Sequence, residues 1–437
     1  MENPLTGREQ VHSPSPSLRI GIDGGSLSNR RGFGRFAREL LKALACENHS
    51  HQLVVVVDRP SLDSGAVQIP TGIEVVAADV RIAPSQAASS DGRRSLRDLL
   101  AMRGAARAAN LDILYFPATY SYFPVPRIPQ VVTVFDTMPL DHPQQIFPHL
   151  RGRLAWTLKE FLAVNRSSHV VTVSEASRRS IESWFRMPAD RITVVPCAPI
   201  DVFSHRPDGP ESAAVLARYG LAANARFFLY VGGLSPHKNL IRLIEAFSHL
   251  VDPDVRLVLV GDLGDVFHTH VPELRATVAA HGLDGRVLFP GFVPDADLAY
   301  LYSRAIALVQ PSLIEGFGLP PAEAMACGTP VLASTAGSLP EVVGDAGIFF
   351  DPLRVEEISA ALVRMLREPA LRVKLAGMVQ SQARKFTWSA AARGVLGALE
   401  GVATASRRPR QVTPRPHLNF GQTPPPNVPV DHRPGCR

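Results

Sequence analysis

Short apolar runs alternate with stretches of helical spacing along most of this chain, and the alternation starts twice. The first series includes "LRIGIDGG", "HQLVVVVD", "LDILYFP", "QVVTVFD" and "SSHVVTVSE", and the second includes "RFFLYVGG", "VRLVLVGD", "RVLFPGF", "AIALVQPS" and "TPVLAS". Strands that alternate with helices form parallel sheets, which bind ligands beyond the carboxyl ends of their strands. The pattern therefore predicts an α/β protein with two Rossmann-like domains whose parallel sheets face an interdomain cleft.

Breaks in this pattern divide the chain, whose 437 residues favour two or three domains. The segment "DVFSHRPDGPES" separates the two series, and its prolines and polar turn formers are typical of a linker. A helical stretch, "TWSAAARGVLGALE", follows the second series. We predict five segments: a disordered N-terminal segment (1–17), an N-terminal Rossmann-like domain (18–203), a C-terminal Rossmann-like domain (204–386), a C-terminal helix (387–406) and a disordered Pro/Arg-rich tail (407–437).

The positive charge of the chain is concentrated in its C-terminal tail. The net charge is +6, but residues 407–437 contain six arginines and one acid, which leaves 40 basic and 39 acidic residues in the rest. The body of the protein is therefore close to neutral. A general electrostatic affinity for nucleic acid is not expected.

The sequence predicts a cytoplasmic protein. No apolar run reaches the ~18 residues of a membrane span, and the first residues lack the apolar centre of a secretory signal. The four cysteines are scattered and form no CxxC pair, which indicates a reducing compartment and no structural metal. The basic stretch "NRRGFGRFARELLKALA" leaves peripheral contact with the inner face of the membrane open, although a solvated basic face is the favoured interpretation.

The segment "SLIEGFGLPPAEAMACGTPVLAS" contains two acids in nearly apolar surroundings, Glu315 and Glu323. Gly316 and Gly318 allow close approach of a ligand to the backbone, and the double proline after them favours the start of a helix. Glycine amides at a helix N-terminus form an anion site. We place Glu323 in the first helical turn, where it would act as a capping residue in the simplest interpretation. Beside a bound phosphate, however, two carboxylates are suited to accept hydrogen bonds from sugar hydroxyls, as in a nucleotide-sugar.

The same segment carries a family resemblance. "EGFGLPPAE" matches the E-x7-E motif of the retaining, GT-B-fold glycosyltransferases of family GT4. "YVGGLSPHKNLIRLIEAF" resembles the phosphate-lysine segment of that family, and "VRLVLVGD", "VLFPGFVPDADLAYLYSRA" and "STAGSLPEVVGDAGIFFDP" follow in the family's order. "IGIDGGSLSNRRGFGRFARELL" and "VVTVFDTMPLDHPQQ" resemble its N-terminal half. The resemblance extends from about residue 18 to 400. It implies that the N-terminal domain (18–203) binds the acceptor, that the C-terminal domain (204–386) binds a nucleotide-sugar, and that the C-terminal helix (387–406) returns to the N-terminal domain.

The resemblance implies roles for individual residues. Glu315 resembles the acid that contacts the hydroxyls of the donor sugar, Glu323 the acid that holds the ribose, and Lys238 the lysine that neutralises the leaving diphosphate. With Asp136, Glu315 and Lys238 form the implied catalytic set. The implied donor-binding set is Gly32, Gly233, Lys238, Glu315, Gly316, Phe317, Gly318, Leu319 and Glu323.

Two positions depart from the family pattern. The family often has a basic residue where this chain has Gly233, and often a histidine where it has Phe135. Because a phenylalanine side chain cannot hydrogen-bond a sugar, that role is either vacant or filled by Asp136. These departures bear on the identity of donor and acceptor more than on the fold.

We therefore expect a retaining glycosyltransferase that moves a sugar from a nucleotide-diphosphate donor to an acceptor hydroxyl and forms an α-glycosidic bond. No metal or other cofactor is expected. "DPD" (Asp252 to Asp254) precedes its strand, at the wrong end of the sheet for a ligand, and "DAD" (Asp295 to Asp297) is better explained as helix capping than as a set of metal ligands. GDP-mannose is the favoured donor by analogy alone, with a glycan, lipid-linked or small-molecule acceptor. Two alternatives stay open: a two-domain nucleotide-sugar epimerase and a non-catalytic binding protein. The sequence does not indicate the oligomeric state.

Overall fold

The structure is a computed structural model that describes residues 17–29, 32–82, 95–143, 150–264 and 270–407. The predicted N-terminal disordered segment lies outside these residues except for its last residue. The predicted tail lies outside them except for its first.

The N-terminal half of the described chain forms a seven-stranded parallel sheet. Its strands lie in the order β3-β2-β1-β4-β5-β6-β7, and each neighbouring pair is parallel. The strands are β1 (Arg19–Asp23), β2 (Gln52–Asp58), β3 (Glu74–Ala78), β4 (Ile113–Phe116), β5 (Gln130–Thr133), β6 (His169–Thr172) and β7 (Ile192–Val194).

The C-terminal half forms a second parallel sheet, of six strands within the described residues. The order is β10-β9-β8-β11-β12-β13, so β8 and β11 are neighbours at the centre. The strands are β8 (Arg226–Val231), β9 (Val255–Val260), β10 (Val287–Gly291), β11 (Ala307–Gln310), β12 (Val331–Ser334) and β13 (Gly347–Phe350).

Helices connect the strands and cover both faces of each sheet. In the N-terminal half they are α1 (Gly32–Cys46), α2 (Arg59–Asp63), α3 (Leu96–Ala108), α4 (Met138–Asp141), α5 (Leu150–Arg166) and α6 (Glu175–Phe185). In the C-terminal half they are α7 (Pro210–Arg218), α8 (Leu240–Ser248), α9 (Val271–Ala280), α10 (Asp295–Arg304), α11 (Leu319–Ala326), α12 (Leu339–Val343), α13 (Val355–Arg367), α14 (Pro369–Ala383) and α15 (Trp388–Arg407).

The apolar strand runs have a packing explanation. Because helices cover both faces, alternate side chains of one strand enter different cores, and both sets must be apolar. Val54 and Val56 of β2 pack in the core that contains Met102 of α3, whereas Val55 and Val57 pack in the core that contains Leu40 of α1. The prediction of two domains with parallel sheets is confirmed.

Helix α15, from the C-terminal end of the described chain, lies against the N-terminal domain. The imidazole of His51 is 2.7 Å from the carboxylate of Glu400, and Arg393 is 3.3 Å from Glu47, which directly follows α1. The apolar face of α1 is buried in the same core as Leu399 of α15. The basic stretch that left membrane contact open therefore directs its apolar side chains into the protein.

Candidate active site

Lys238 and Glu315 follow the carboxyl ends of two neighbouring strands at the centre of the second sheet. A short 3-10 turn, Pro236–Lys238, follows β8, and the loop with Glu315 follows β11. The amide of Leu313 donates to the carbonyl of His237 at 2.9 Å, which holds the two loops together. The parallel order of β8 and β11 thus brings together two residues that are far apart in sequence.

Three donors converge on one oxygen of Glu315. Its Oε1 accepts from Lys238 Nζ, Gln310 Nε2 and Ser312 Oγ, each at 2.7 Å. The side chains of Lys238 and Glu315 are 17% and 12% exposed. The contacts made through Oε1 leave the other carboxylate oxygen and the remaining ammonium protons able to bind a ligand.

The surroundings of Glu315 favour its ionised form. Burial raises the pKa of this carboxyl, but the charge and hydrogen bond of Lys238 and the hydroxyl of Ser312 more than offset it, so the pKa lies below the usual range. Burial lowers the pKa of the neighbouring His237 to about 3, so its imidazole is neutral near pH 7. Lys238 is therefore the cation of this turn.

Asp136 reaches the same place from the N-terminal domain. It follows β5, and its Oδ1 accepts from the amide of Met138 at 2.9 Å. A methyl group added to Gly316 would lie 2.8 Å from the carbonyl oxygen of Phe135 and 3.0 Å from Asp136 Oδ2. Only glycine permits this close approach of the two domains. Burial raises the pKa of Asp136, with a further increase from Glu315 and an opposing effect from Lys238.

Two serines of the N-terminal domain hold the glycine turn. The hydroxyl of Ser174 donates to the carbonyl of Gly316 at 2.6 Å, and Ser177 Oγ lies within hydrogen-bonding distance of the carbonyls of Gly316 (3.2 Å) and Phe135 (2.7 Å). The turn that carries Glu315 is thus fixed by both domains.

The start of α11 has the geometry expected of an anion site. Gly318 is the N-cap residue and adopts a φ of 92°, which favours glycine. No side-chain hydrogen bond from this cap position satisfies the first amides of the helix. Phe317 directs its ring away into the core, where it meets the ring of Phe386 at 5.3 Å, and Leu319 is partly buried. At Phe317 and Leu319, therefore, the backbone is the part suited to contact a ligand.

Glu323 differs from the expectation in one respect. The helix begins at Leu319, so Glu323 lies beyond the first turn, and the prediction that it lies within that turn is wrong. Its carboxylate does not cap the helix. Oε1 accepts from Arg35 of the N-terminal domain at 2.5 Å, and Oε2 accepts from Tyr302 at 3.0 Å. Burial raises the pKa of Glu323, and the charge of Arg35 opposes this shift.

The remaining predicted residues occupy different surroundings. Gly32 is the exposed first residue of α1, with open space where a side chain would lie. The carbonyl of Gly233 accepts from the Tyr230 hydroxyl at 2.6 Å. The ring of Phe135 packs on that of Phe36 at 5.1 Å, so the residue in the family's histidine position has a packing role.

Asp252 of "DPD" and both acids of "DAD" form ion pairs in the structure. Asp252 accepts from Arg226 at 2.7 Å, and Asp297 accepts from Arg218 and from the Tyr219 hydroxyl. Asp295 pairs with Arg35, and no side chain caps the helix that begins there, so the capping interpretation is wrong. Within the described ranges no group of three or more His, Cys, Asp or Glu is placed to hold a metal ion.

Sequence reasoning missed the polar residues that support the two glutamates. Their positions relative to the acids depend on the pairing of strands and on the docking of the domains, and no local pattern encodes either. The basic "GFGRF" stretch and the "DAD" acids were visible as charges, but nothing in the sequence paired them. The missed residues are Arg35, Ser174, Ser177, Asp295, Tyr302, Gln310 and Ser312.

Comparison with known proteins assigns each half of the chain to a glycosyltransferase family model. Residues 215–385 match the family model of glycosyl transferases group 1, and residues 30–198 match that of Glycosyltransferase Family 4. The O-antigen chain mannosyltransferase B of Escherichia coli is 33% identical over 381 residues, which cover 82% of this chain and 92% of that protein. The chain belongs to the glycosyltransferases of this family, as the E-x7-E resemblance implied.

Solved structures support the fold. A sucrose-phosphate synthase from Thermosynechococcus elongatus superposes with a TM-score of 0.68 at 20% identity, over 89% of this chain and all of that chain. The Anabaena protein HepE in complex with UDP-glucose superposes with a TM-score of 0.64 at 20% identity, over 88% of this chain and all of that one. The two-domain GT-B fold is therefore shown. No helix among the described residues combines the length and apolar character needed to cross a membrane.

Proposed function

We propose that this glycosyltransferase transfers mannose from GDP-mannose to an acceptor hydroxyl with retention of the α configuration and without a metal ion, in the synthesis of a glycan, glycolipid or glycoconjugate. One observation carries the proposal: the Lys238–Glu315 pair, at 2.7 Å, lies at the carboxyl ends of the central strands and faces Asp136 of the other domain. The name of the mannosyltransferase relative supports the choice of mannose.

The pair is suited to the departure of a diphosphate. The bond between the anomeric carbon and the phosphate oxygen breaks, and its electron pair stays on the diphosphate. Lys238 and the amides at the start of α11 stabilise that charge electrostatically. Glu315 is ionised at neutral pH, and it binds the sugar hydroxyls while positive charge develops on the ring.

Asp136 is the group on the acceptor side. The acceptor oxygen bonds to the anomeric carbon on the face that the diphosphate leaves, so the configuration is retained without an enzyme nucleophile. The acceptor hydroxyl loses its proton in this step. Asp136 is the proposed base, because its raised pKa makes its carboxylate a better proton acceptor than an ordinary aspartate.

Hydrolysis of candidate donors in the absence of acceptor tests the proposal. The protein is incubated with GDP-mannose, UDP-glucose and UDP-N-acetylglucosamine, and the products are separated by chromatography. Slow release of mannose from GDP-mannose is the expected result. Formation of a new nucleotide-sugar would instead support the epimerase alternative. Failure to convert or bind any donor would support the non-catalytic one.

Metal independence has its own test. Because a lysine and backbone amides already face the proposed diphosphate site, we expect turnover of GDP-mannose to persist in excess EDTA. Complete loss in EDTA, with recovery on addition of manganese or magnesium, would contradict this part of the proposal.

Peripheral membrane contact is proposed for helix α5. Leu150, Leu154 and Leu158 are 75%, 68% and 70% exposed on this helix, with exposed arginines at 151 and 153. Apolar side chains beside cations are suited to an anionic membrane surface. Sedimentation with phosphatidylglycerol vesicles is expected for the wild type and lost on replacement of the three leucines by serine. Equal sedimentation of both proteins would contradict the proposal.

A further inference from the structure

Arg35 links the two domains through two acids at once. It lies on α1 of the N-terminal domain, and its guanidinium donates from Nη1 to Glu323 Oε1 at 2.5 Å and from Nη2 to Asp295 Oδ1 at 2.6 Å. Both acids belong to the C-terminal domain. Arginine is suited to this bridge because its planar guanidinium presents several donors in a fixed geometry.

Because Glu323 is buried, the charge of its carboxylate depends on the contact with Arg35. The Glu323 side chain is 4% exposed and that of Arg35 is 23% exposed. A buried carboxylate stays charged only if it is paired and hydrogen-bonded. Within the described chain, Arg35 is the cation in direct contact with Glu323, and it is present only while the N-terminal domain is docked.

The unused hydrogen-bond acceptor positions of the Glu323 carboxylate are suited to the hydroxyls of a ribose. Each oxygen of an ionised carboxylate accepts about two hydrogen bonds. Oε1 uses one for Arg35 and Oε2 uses one for the hydroxyl of Tyr302, so one acceptor site remains on each oxygen. Two neighbouring hydroxyls of one sugar are the donors that this arrangement fits.

We propose that Arg35 is a positioning residue that couples domain closure to donor binding: by bridging Glu323 and Asp295 across the domain boundary, it keeps the Glu323 carboxylate ionised and oriented for the ribose. This inference rests on the proposed role of Glu323 in the donor site. When the domains separate, Glu323 loses its cation, and its hold on the ribose weakens.

The charges around Glu323 give opposite expectations for two substitutions. Arg35 lowers the pKa of Glu323 and Asp295 raises it. Among the residues that the structure describes, the other ionisable groups that face this acid are Tyr302 and, behind it, Cys327, whereas Arg38 lies behind Arg35. Arg35→Met should therefore make Glu323 easier to protonate, and Asp295→Asn should make it harder to protonate.

The experiment is calorimetric titration of the full-length protein with GDP and UDP between pH 5 and 8. We expect Arg35→Met to weaken nucleotide binding at pH 7 by about tenfold or more, since a hydrogen bond to a charged group is lost. The loss of affinity on acidification should move to higher pH in Arg35→Met and to lower pH in Asp295→Asn. Arg35→Lys should recover binding only in part, because an ammonium does not reproduce the fork.

Glu341→Gln is the matched control. Glu341 accepts from the amides of Glu175 and Ala176 at 2.8 and 2.7 Å, so it joins the same two domains without touching Glu323. We expect this variant to leave the pH dependence of binding unchanged. If Arg35→Met and Glu341→Gln change affinity equally and neither moves the pH dependence, Arg35 is only a tether and the inference is wrong.

Two further outcomes separate failure of the inference from failure of the proposed function. Wild-type binding together with an unaffected Arg35→Met variant would overturn the role of Arg35 alone. If the wild type binds neither GDP nor UDP, the proposed function is overturned, and the inference with it. Thermal unfolding of each variant shows whether the protein is folded, and Arg35→Lys replaces Arg35→Met if the latter is not.

Discussion

Glu315 and Glu323 are eight residues apart and both nearly buried, yet they are stabilised in different ways. The three donors to Glu315 Oε1 all belong to the C-terminal domain. Glu323 receives one hydrogen bond from its own domain and its cation from the other domain. The charge of Glu315 is therefore supported within one domain, whereas that of Glu323 depends on how the two domains meet.

The contrast extends to the acid–base properties of the two glutamates. Burial raises the pKa of both, but at Glu315 the lysine and the serine hydroxyl prevail and the net shift is downward, whereas at Glu323 burial prevails and the shift is upward. A group at the reacting carbon is most useful if it is always charged. A group that binds the donor can link binding to domain contact if its carboxylate is charged and oriented only when the two domains meet. The two environments suit the separate roles proposed for the two glutamates.

The largest effect is expected at Glu315. Glu315→Ala should lower kcat by roughly 10²–10³-fold, the scale of one oriented polar contact made in the transition state. The donor KM should change less. Steady-state kinetics on GDP-mannose measure both values, and Ser312→Ala, which removes a single hydrogen bond to the same oxygen, is the milder control. Near-normal turnover of Glu315→Ala would contradict the assignment.

Substitution of Glu323 should affect the donor KM more than kcat, the reverse of the effect expected at Glu315. Glu323→Ala should raise the donor KM by roughly 10- to 100-fold, since hydrogen bonds to a charged group are lost, with a smaller change in kcat. The variant also leaves Arg35 without one partner, although Asp295 still pairs with it. If kcat falls and the KM is unchanged, the roles of the two acids are not separated as proposed. The same steady-state assay on folded protein decides this.

A smaller effect is expected on the pH dependence. As the pH falls, Glu323 takes up a proton before Glu315, because its pKa is raised and that of Glu315 is lowered. The donor 1/KM should therefore decline at a higher pH than kcat. Glu323→Gln should remove the decline in 1/KM and leave that in kcat. Coincident declines in the wild type would contradict the ordering.

The directions of the two pKa shifts also determine how each glutamate contributes to the pH dependence of the free energy of unfolding. A depressed pKa at Glu315 contributes stability that is present above its unfolded value and is lost as the pH falls through the folded value. A raised pKa at Glu323 contributes in the opposite sense: the stability is present below the unfolded value and is lost as the pH rises through the folded value. The two contributions therefore oppose each other over the acidic range.

The sequence was sufficient to predict the fold, for physical reasons. Apolar runs that are buried on both faces, such as β2 and β9, are a local signal, and the order of strands and helices restricts the topology. The fork of Arg35 is different, because it joins residues 260 and 288 positions apart. Such a contact depends on how one domain docks on the other. Local spacing does not encode it: Asp295 was assigned to helix capping, and Glu323 was assigned to the ribose without a cation beside it.

The smallest effect is expected from removal of the C-terminal tail. Truncation after Ser406 removes, from the described residues, only Arg407, whose ion pair with Asp112 is 3.1 Å long and partly exposed. Exposed pairs of this kind contribute about 0–1 kcal/mol. The contacts of His51 with Glu400 and of Glu47 with Arg393 remain, so both glutamate sites should be unaffected. We expect the kcat and donor KM of the truncated protein on a soluble acceptor to equal those of the full chain. A rise in KM alone would show that the tail acts on the domain boundary at Glu323, and a fall in kcat would show that it acts near Glu315.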